Sequence, residues 1–394
     1  MLMMLVGLFA AHETSAQTVA LTVSNPTDMQ RQEVVEADLQ AICRMLGTDT
    51  TATLRVTNAL GQNITSQKSH DGKLLLYVAL QPGSQVNYTV AKGGPAPTAV
   101  RTQVYGRIYP ERLDDLTWEN DRGIYRFYGP ALQRTGERSF GTDVWVKNTP
   151  ELVAEYRYRL HMEGWRQGDS LKKAGKKTEG EARFRDTSFH LDHGYGMDVY
   201  SVGASLGCGA PALMKDGGLQ FPYCFTECKI LDNGPLRFTA ELTYGTTSEG
   251  TTEHRRVTLD RGSHFNRMTV WYDGIRRPTP LATGVALHGS EAPMLSKDYV
   301  LYADPTDNPK VHQSQIFVGV LFPDGADDTI RLMGKPEHAI GIVKQYTGQP
   351  YTYYFGSAWS LYDVPTMRHW QLLAEDCLRA VKTPLKVALK TIEP

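Results

Sequence analysis

The stretch RRVTLDRGSHFNRMTVWYDG, residues 255–274, reads as a β-hairpin. Val257 and Leu259 alternate with polar neighbours on the first arm, and Phe265, Met268, Val270 and Tyr272 supply the apolar positions of the second. The Asp-Arg-Gly-Ser between them has the composition of a turn. LRFTAELTYG (236–245) and QIFVGVLF (315–322) are further strand-length runs rich in β-branched and aromatic residues. Upstream, TVALTVSNPT (18–27), ATLRVTNALGQNI (52–64), GKLLLYVALQPGS (72–84) and VNYTVAKGG (86–94) alternate in the same way. The chain is therefore predicted to be all-β. A large antiparallel β-sandwich over residues 100–394 follows a small β-rich region over 17–93, with GGPAPTAV (93–100) as the linker.

Three stretches depart from this texture. Glu33 to Leu46 is helix-like, or else a strand and a loop. Residues 163–186, with the run LKKAGKKTEGEAR, are too hydrophilic for a core and are expected to be a surface loop or an exposed helix. Pro365 to Leu389 is expected to be a short C-terminal helix with Trp370, Leu373, Cys377 and Ala380 on one face.

The 394 residues are 41% hydrophobic and 22% charged, and 36 Gly and 21 Pro suit a turn-rich fold. Lys+Arg 42 against Asp+Glu 43 leaves no basic excess for a nucleic-acid backbone. After the N-terminus no apolar run reaches the ~20 residues of a membrane-spanning helix. Residues 1–16, MLMMLVGLFAAHETSA, have the apolar run and small-residue end of a secretory signal, so a periplasmic or secreted protein is expected. Cys43, Cys208, Cys224, Cys228 and Cys377 make an odd set without zinc spacing, best read as small buried residues. Their pairing and the oligomeric state stay open.

The segment SFHLDHGYGMDVYSVGASLGCGAPAL, 188–213, is densest in chemistry. His190, Asp192, His193, Tyr195, Asp198 and Tyr200 lie within eleven positions, and the glycines make it a loop crossing a cleft. In WENDRGIYRFYGPAL, 118–132, Asn120, Arg122 or Arg126 is suited to grip a carboxylate, with Tyr128 on the Arg126 face. In SFGTDVWVKN, 139–148, Asp143, Trp145 and Lys147 share one strand face, as in a sugar cleft or a water-facing edge. His288 and the aromatics Tyr351, Tyr353, Tyr354 and Trp359 complete the candidates. No serine-hydrolase elbow or zincin motif occurs, and no metal or cofactor is assigned.

The order WENDR…YRFYGPAL, GTDVWVK, HLDHGYGMDVYSVGASLGCGA and YYFGSAWS resembles the DUF4861 family of exported proteins from polysaccharide-degrading bacteria. Cys208 stands where a small residue is common in that family, and Tyr195 sits between the two glycines. The resemblance implies a β-supersandwich similar to galactose-mutarotase-like domains. It also implies a carbon–oxygen lyase acting on acidic oligosaccharides. A member acting in ulvan breakdown is an oligosaccharide dehydratase, which removes water from a non-reducing-end uronic acid and leaves a 4,5-unsaturated sugar. A lyase expelling a sugar shares that chemistry. A non-catalytic carbohydrate-binding protein and a mutarotase or epimerase are the alternatives. For elimination, His190, His193, Tyr195 and Tyr200 are the acid–base candidates. Asn120 and Arg122 would neutralise the carboxylate, and Arg126, Tyr128, Asp143, Trp145, Lys147, Asp198, His288, Tyr354 and Trp359 would line the substrate site.

Overall fold

The computed structural model describes residues 17–93, 101–221, 223–305 and 314–392. The signal-like segment 1–16 and nearly all of the linker 93–100 lie outside the described residues.

The hairpin forms as read: Thr252–Asp260 pairs antiparallel with Phe265–Asp273 around the loop 261–264. It is the middle of an eight-stranded antiparallel sheet running from Phe225–Asn233 at one edge to Met294–Ser296 at the other. One face of this sheet packs against two smaller sheets. The first has four strands, Val104–Tyr109, Asp115–Asn120, Ile124–Phe127 and Asp143–Trp145. The second has five and centres on Leu281–Leu287. The shared core includes Trp118, Tyr125, Phe238, Val257, Met268, Val270, Val285 and Phe355. The architecture is thus an antiparallel β-sandwich, driven by burial of the alternating apolar positions.

Period 2 also explains a departure from the single apolar arm. Phe265 points opposite to Met268 and Val270, onto the far face of the large sheet. There it meets Leu301, Phe317 and Leu321 and the helix Met367–Lys382, which buries Trp370, Ala374 and Leu378. Because Ile316–Leu321 is covered on both faces, all six of its residues are buried, giving the continuous apolar run of QIFVGVLF. Thr366 caps that helix through the His369 amide. The helix does not reach Leu389 as expected: Lys386–Ile392 alternates exposed with half-buried residues and pairs with Thr18–Ser24 in a sheet of the N-terminal β-rich region. Glu33 to Leu46 divides into the strand Arg31–Asp38 and the helix Leu39–Met45. The hydrophilic stretch belongs to two helices, Ala154–Lys173 and Lys177–Thr187, packed on each other. All five cysteines are free thiols.

Candidate active site

The outward face of the four-stranded sheet is polar and buried. Antiparallel register sets Arg126 opposite Thr117 on one neighbouring strand and opposite Asp143 on the other. Asp115, two residues before Thr117, shares that face. The helix Ala154–Lys173 covers it, and Tyr158, Tyr109, Trp145 and Phe189 form an aromatic cluster beside the charges. This face is neither an open sugar cleft nor a water-facing edge. Trp145 is 2% exposed, and its indole Nε1 donates to Asp143 at 3.2 Å.

The loop from Ser188 completes the centre. It docks along Asp143–Trp145 through backbone bridges between Val146 and Met197 and between Thr142 and Gly207. Two glycines permit that docking. Gly196 and Gly207 both have positive φ, and a Cβ would fall 1.9 Å from the Val146 carbonyl oxygen in the first case and 2.2 Å from that of Thr142 in the second. Arg157 braces the loop from the helix, donating from Nη2 to the Ser188 and Leu191 carbonyls.

Docking brings Asp198 to Arg126. The guanidinium then faces three carboxylates: Asp143 in direct contact, Asp198 at 3.0 Å and Asp115 at 3.8 Å. Burial raises Asp143, Asp198 and Asp115 above the usual carboxylate range, and Arg126 holds them down only in part. Burial opposes the charge on Arg126, yet Asp143 and Asp198 keep it firmly protonated. One cation among three desolvated carboxyls favours retention of a proton in the group.

Two acid–base side chains flank this cluster. The His190 ring is 54% exposed, and its Nδ1 lies 2.8 Å from the Asp198 carbonyl oxygen. A carbonyl only accepts, so Nδ1 carries the proton and Nε2 presents a lone pair. Burial of the inner side of the ring lowers the His190 pKa and keeps it neutral. On the other flank, half-buried Tyr128 accepts from Arg126 Nη2 at 3.3 Å. Burial, reinforced by Asp143, holds its phenol well above the usual value. His190 and Tyr128 are therefore linked through Asp198 and Arg126.

Arg112 had no signal in the sequence. Its guanidinium makes no hydrogen bond or ion pair among the described residues, yet it acts electrostatically on His190, Asp198, Asp115 and His161. The backbone right after it is strained, with Leu113 at φ 58° and Asp114 at φ 62°. His161, from the covering helix, stacks on Phe189 at 3.8 Å, and burial lowers it to about 4.

Other predicted residues lie nearby. Tyr200 is buried, donates to the Gly207 carbonyl at 3.0 Å and packs its ring 5.1 Å from His288. Asp304 orients His288 at 2.5 Å. Asp143 acts on both His190 and Tyr200, so these groups adjoin one centre. His193 and Tyr195 are on the rim. His193 Nε2 donates to the Ser188 carbonyl at 3.1 Å, and exposed Tyr195 meets exposed Tyr156 edge to face.

The rest are placed otherwise. Asn120 spends its amide on the Asp260 and Ser263 carbonyls and its oxygen on the Arg122 and Gly123 amides. Arg122 pairs with Asp363 at 2.7 Å. Neither is positioned as a carboxylate grip beside His190. Lys147 is buried against Glu119 at 2.9 Å, and Glu119 also accepts from the Val153 and Ala154 amides, capping the covering helix. Trp359 is 1% exposed in the main core. Tyr354 lies on the far face of the large sheet. Among the described residues no group of three or more His, Cys, Asp or Glu side chains is arranged to hold a metal ion.

The pattern of the family described as "Domain of unknown function (DUF4861)" matches residues 23–387. The chain belongs to the DUF4861 family. This DUF4861 chain is 24% identical over 401 residues to "Uncharacterized protein P7" of Formosa agariphila, covering 94% of this chain and 93% of that one. Among solved structures it is similar to a protein in the glycosyl hydrolase family 38 from Enterococcus faecalis, with a TM-score of 0.54 and 10% identity. The match covers 96% of this chain and 48% of the other, so the DUF4861 chain spans about half the length of that protein. At this identity the likeness is one of fold. No helix among the described residues is long and apolar enough to cross a membrane.

Proposed function

We propose that the chain is an exported carbohydrate-active enzyme that eliminates water, or a sugar, from a non-reducing-end uronic acid. The observation that carries this reading is the pairing of half-exposed His190, held through Nδ1, with Tyr128 across the Asp198–Arg126 bridge. Family membership and a sandwich like that of a glycosyl hydrolase family 38 protein support a carbohydrate substrate.

Arg112 binds the substrate carboxylate. Neutralising that charge acidifies the C5 proton. His190 Nε2 takes the proton, the C5–H electron pair becomes the C4–C5 double bond, and the C4–O bond breaks. Tyr128 gives its phenolic proton to the departing oxygen, which leaves as water or as a sugar hydroxyl. Arg126 and its carboxylates hold the two side chains in place. Tyr195 and Tyr156 offer apolar ring surface at the rim.

The test is incubation with oligosaccharides ending in uronic acids, followed by ultraviolet absorbance and mass spectrometry. Absorbance of an unsaturated uronate with loss of one water is expected, and chain cleavage would make the enzyme a lyase. Binding without any unsaturated product overturns the elimination reading.

A further inference from the structure

A cleft of about 610 Å³ opens on the far face of the large sheet. Its walls are Arg31–Asp38 of the N-terminal region and the helix Met367–Lys382, and its floor is the strands Phe265–Asp273 and Tyr351–Trp359. Polar ties fasten both ends of the first wall. At one end Arg31 donates to the Thr383 carbonyl at 2.9 Å, just past the helix. At the other Glu36 pairs with Arg237 at 2.6 Å. The two ties lie five residues apart on one strand, roughly 16 Å. The cleft is thus spanned by fastened elements and has the volume of a small-ligand site.

Four arginines and four carboxylates line it, but not every arginine is paired. Arg31 is paired with Glu33, and Arg237 with both Glu36 and Asp260. Asp376 has Arg379 at 3.6 Å. Two guanidiniums are left. Arg261 and Arg267 make no side-chain hydrogen bond or ion pair among the described residues. Arg261 stacks over Tyr77 at 4.0 Å, and its Nε is buried without a partner. Arg267 sits directly opposite Tyr354 in register, so the two side chains stand together on the floor. An unpaired planar cation beside an aromatic ring offers a fork for an anionic group and a flat surface for the ring that carries it.

We propose that this cleft binds an anionic sugar residue, carboxylated or sulfated, at a site separate from the His190 centre. It takes from the preceding section only that the ligand is a saccharide.

The test uses the full chain carrying His190→Ala, chosen to slow any turnover at the His190 centre. Calorimetric titration with a carboxylated and, separately, a sulfated oligosaccharide distinguishes the two anion types. Binding to the parent is expected for at least one of them. Arg267→Ala should weaken one class of site by about tenfold or more, and Tyr354→Ala should do likewise. Because Arg267 has no partner to lose, its variant should unfold at the parent's denaturant midpoint. Arg267→Lys should retain part of the affinity. Titrations of Arg267→Ala that superimpose on the parent's overturn the proposal, as does failure of both oligosaccharides to bind. The elimination reading stands or falls separately, on product formation by the unmodified protein.

Discussion

The His190 ring donates from Nδ1 to the backbone carbonyl of Asp198, and the Asp198 carboxylate accepts from Arg126 at 3.0 Å. One residue therefore fixes the tautomer of an exposed imidazole with its backbone and joins a buried ion cluster with its side chain. Replacing His190 by Gln should lower kcat by about 10²-fold or more, as expected for loss of a general base. The limb of the pH–rate profile that reports His190, which falls below 6.5, should vanish. Turnover at the parental rate would remove His190 from the mechanism.

Tyr128→Phe deletes one hydroxyl at the other end of the bridge. It should lower kcat with little change in KM, because a proton donor acts in the transition state. A substrate whose leaving group needs no protonation should recover most of the loss. A raised KM at unchanged kcat would instead make Tyr128 a binding residue.

The buried charges predict stability. Removing Arg126 as Arg126→Met leaves Asp115, Asp143 and Asp198 without their cation. The cost should be about 3–5 kcal/mol in urea unfolding. Lys147→Met, which orphans the Glu119 cap, should cost a similar amount. A shift under about 0.5 kcal/mol in either variant would contradict the packing described.

Glycines in the docking loop should not be equivalent. Gly194 and Gly196 both have positive φ, but a Cβ at Gly194 meets nothing within 4 Å. Gly194→Ala should carry only the backbone cost of about 1 kcal/mol. Gly196→Ala should also push the loop off Val146 and greatly reduce activity. Equal effects in the two variants would sink the docking argument.

His161 and His338 are both buried and lowered from 6.5 to about 4. Between those values the unfolded chain binds protons that the folded chain does not, so their contribution to stability falls as pH drops from about 6.5 to about 4. Each adds a slope of up to about 1.4 kcal/mol per pH unit. The raised carboxyls of the Arg126 cluster act in the opposite sense, since there the folded state binds more protons. Comparison of His161→Phe with the parent isolates one histidine. The parent's denaturant midpoint should fall relative to the variant's as pH drops from about 6.5 to about 4, and parallel pH curves would refute it.

Much of the fold was legible because strand burial is local. Alternation in 255–274 and 18–27 marks which side chains turn inward, whatever the sheet later pairs with. The limits of the last helix were less clear, since Lys386–Ile392 is a strand only by virtue of its distant partner Thr18–Ser24. The density of His, Asp and Tyr in 188–213 also marked the loop from which His190 and Asp198 come.

By itself, then, the sequence determined the β texture, the core positions and the chemically dense loop. The tertiary structure decided which groups meet. It placed Arg126 and Tyr128 beside Asp198 across 72 and 70 intervening steps of chain and brought up Arg112, whose neighbours PER and LDD carry no motif. It also turned Asn120, Lys147 and Trp359 to structural use and sent Tyr354 to another cleft. The physical reason is that alternation fixes a side chain's face within a few residues, whereas its partner on that face depends on register and on which helix or loop covers the sheet.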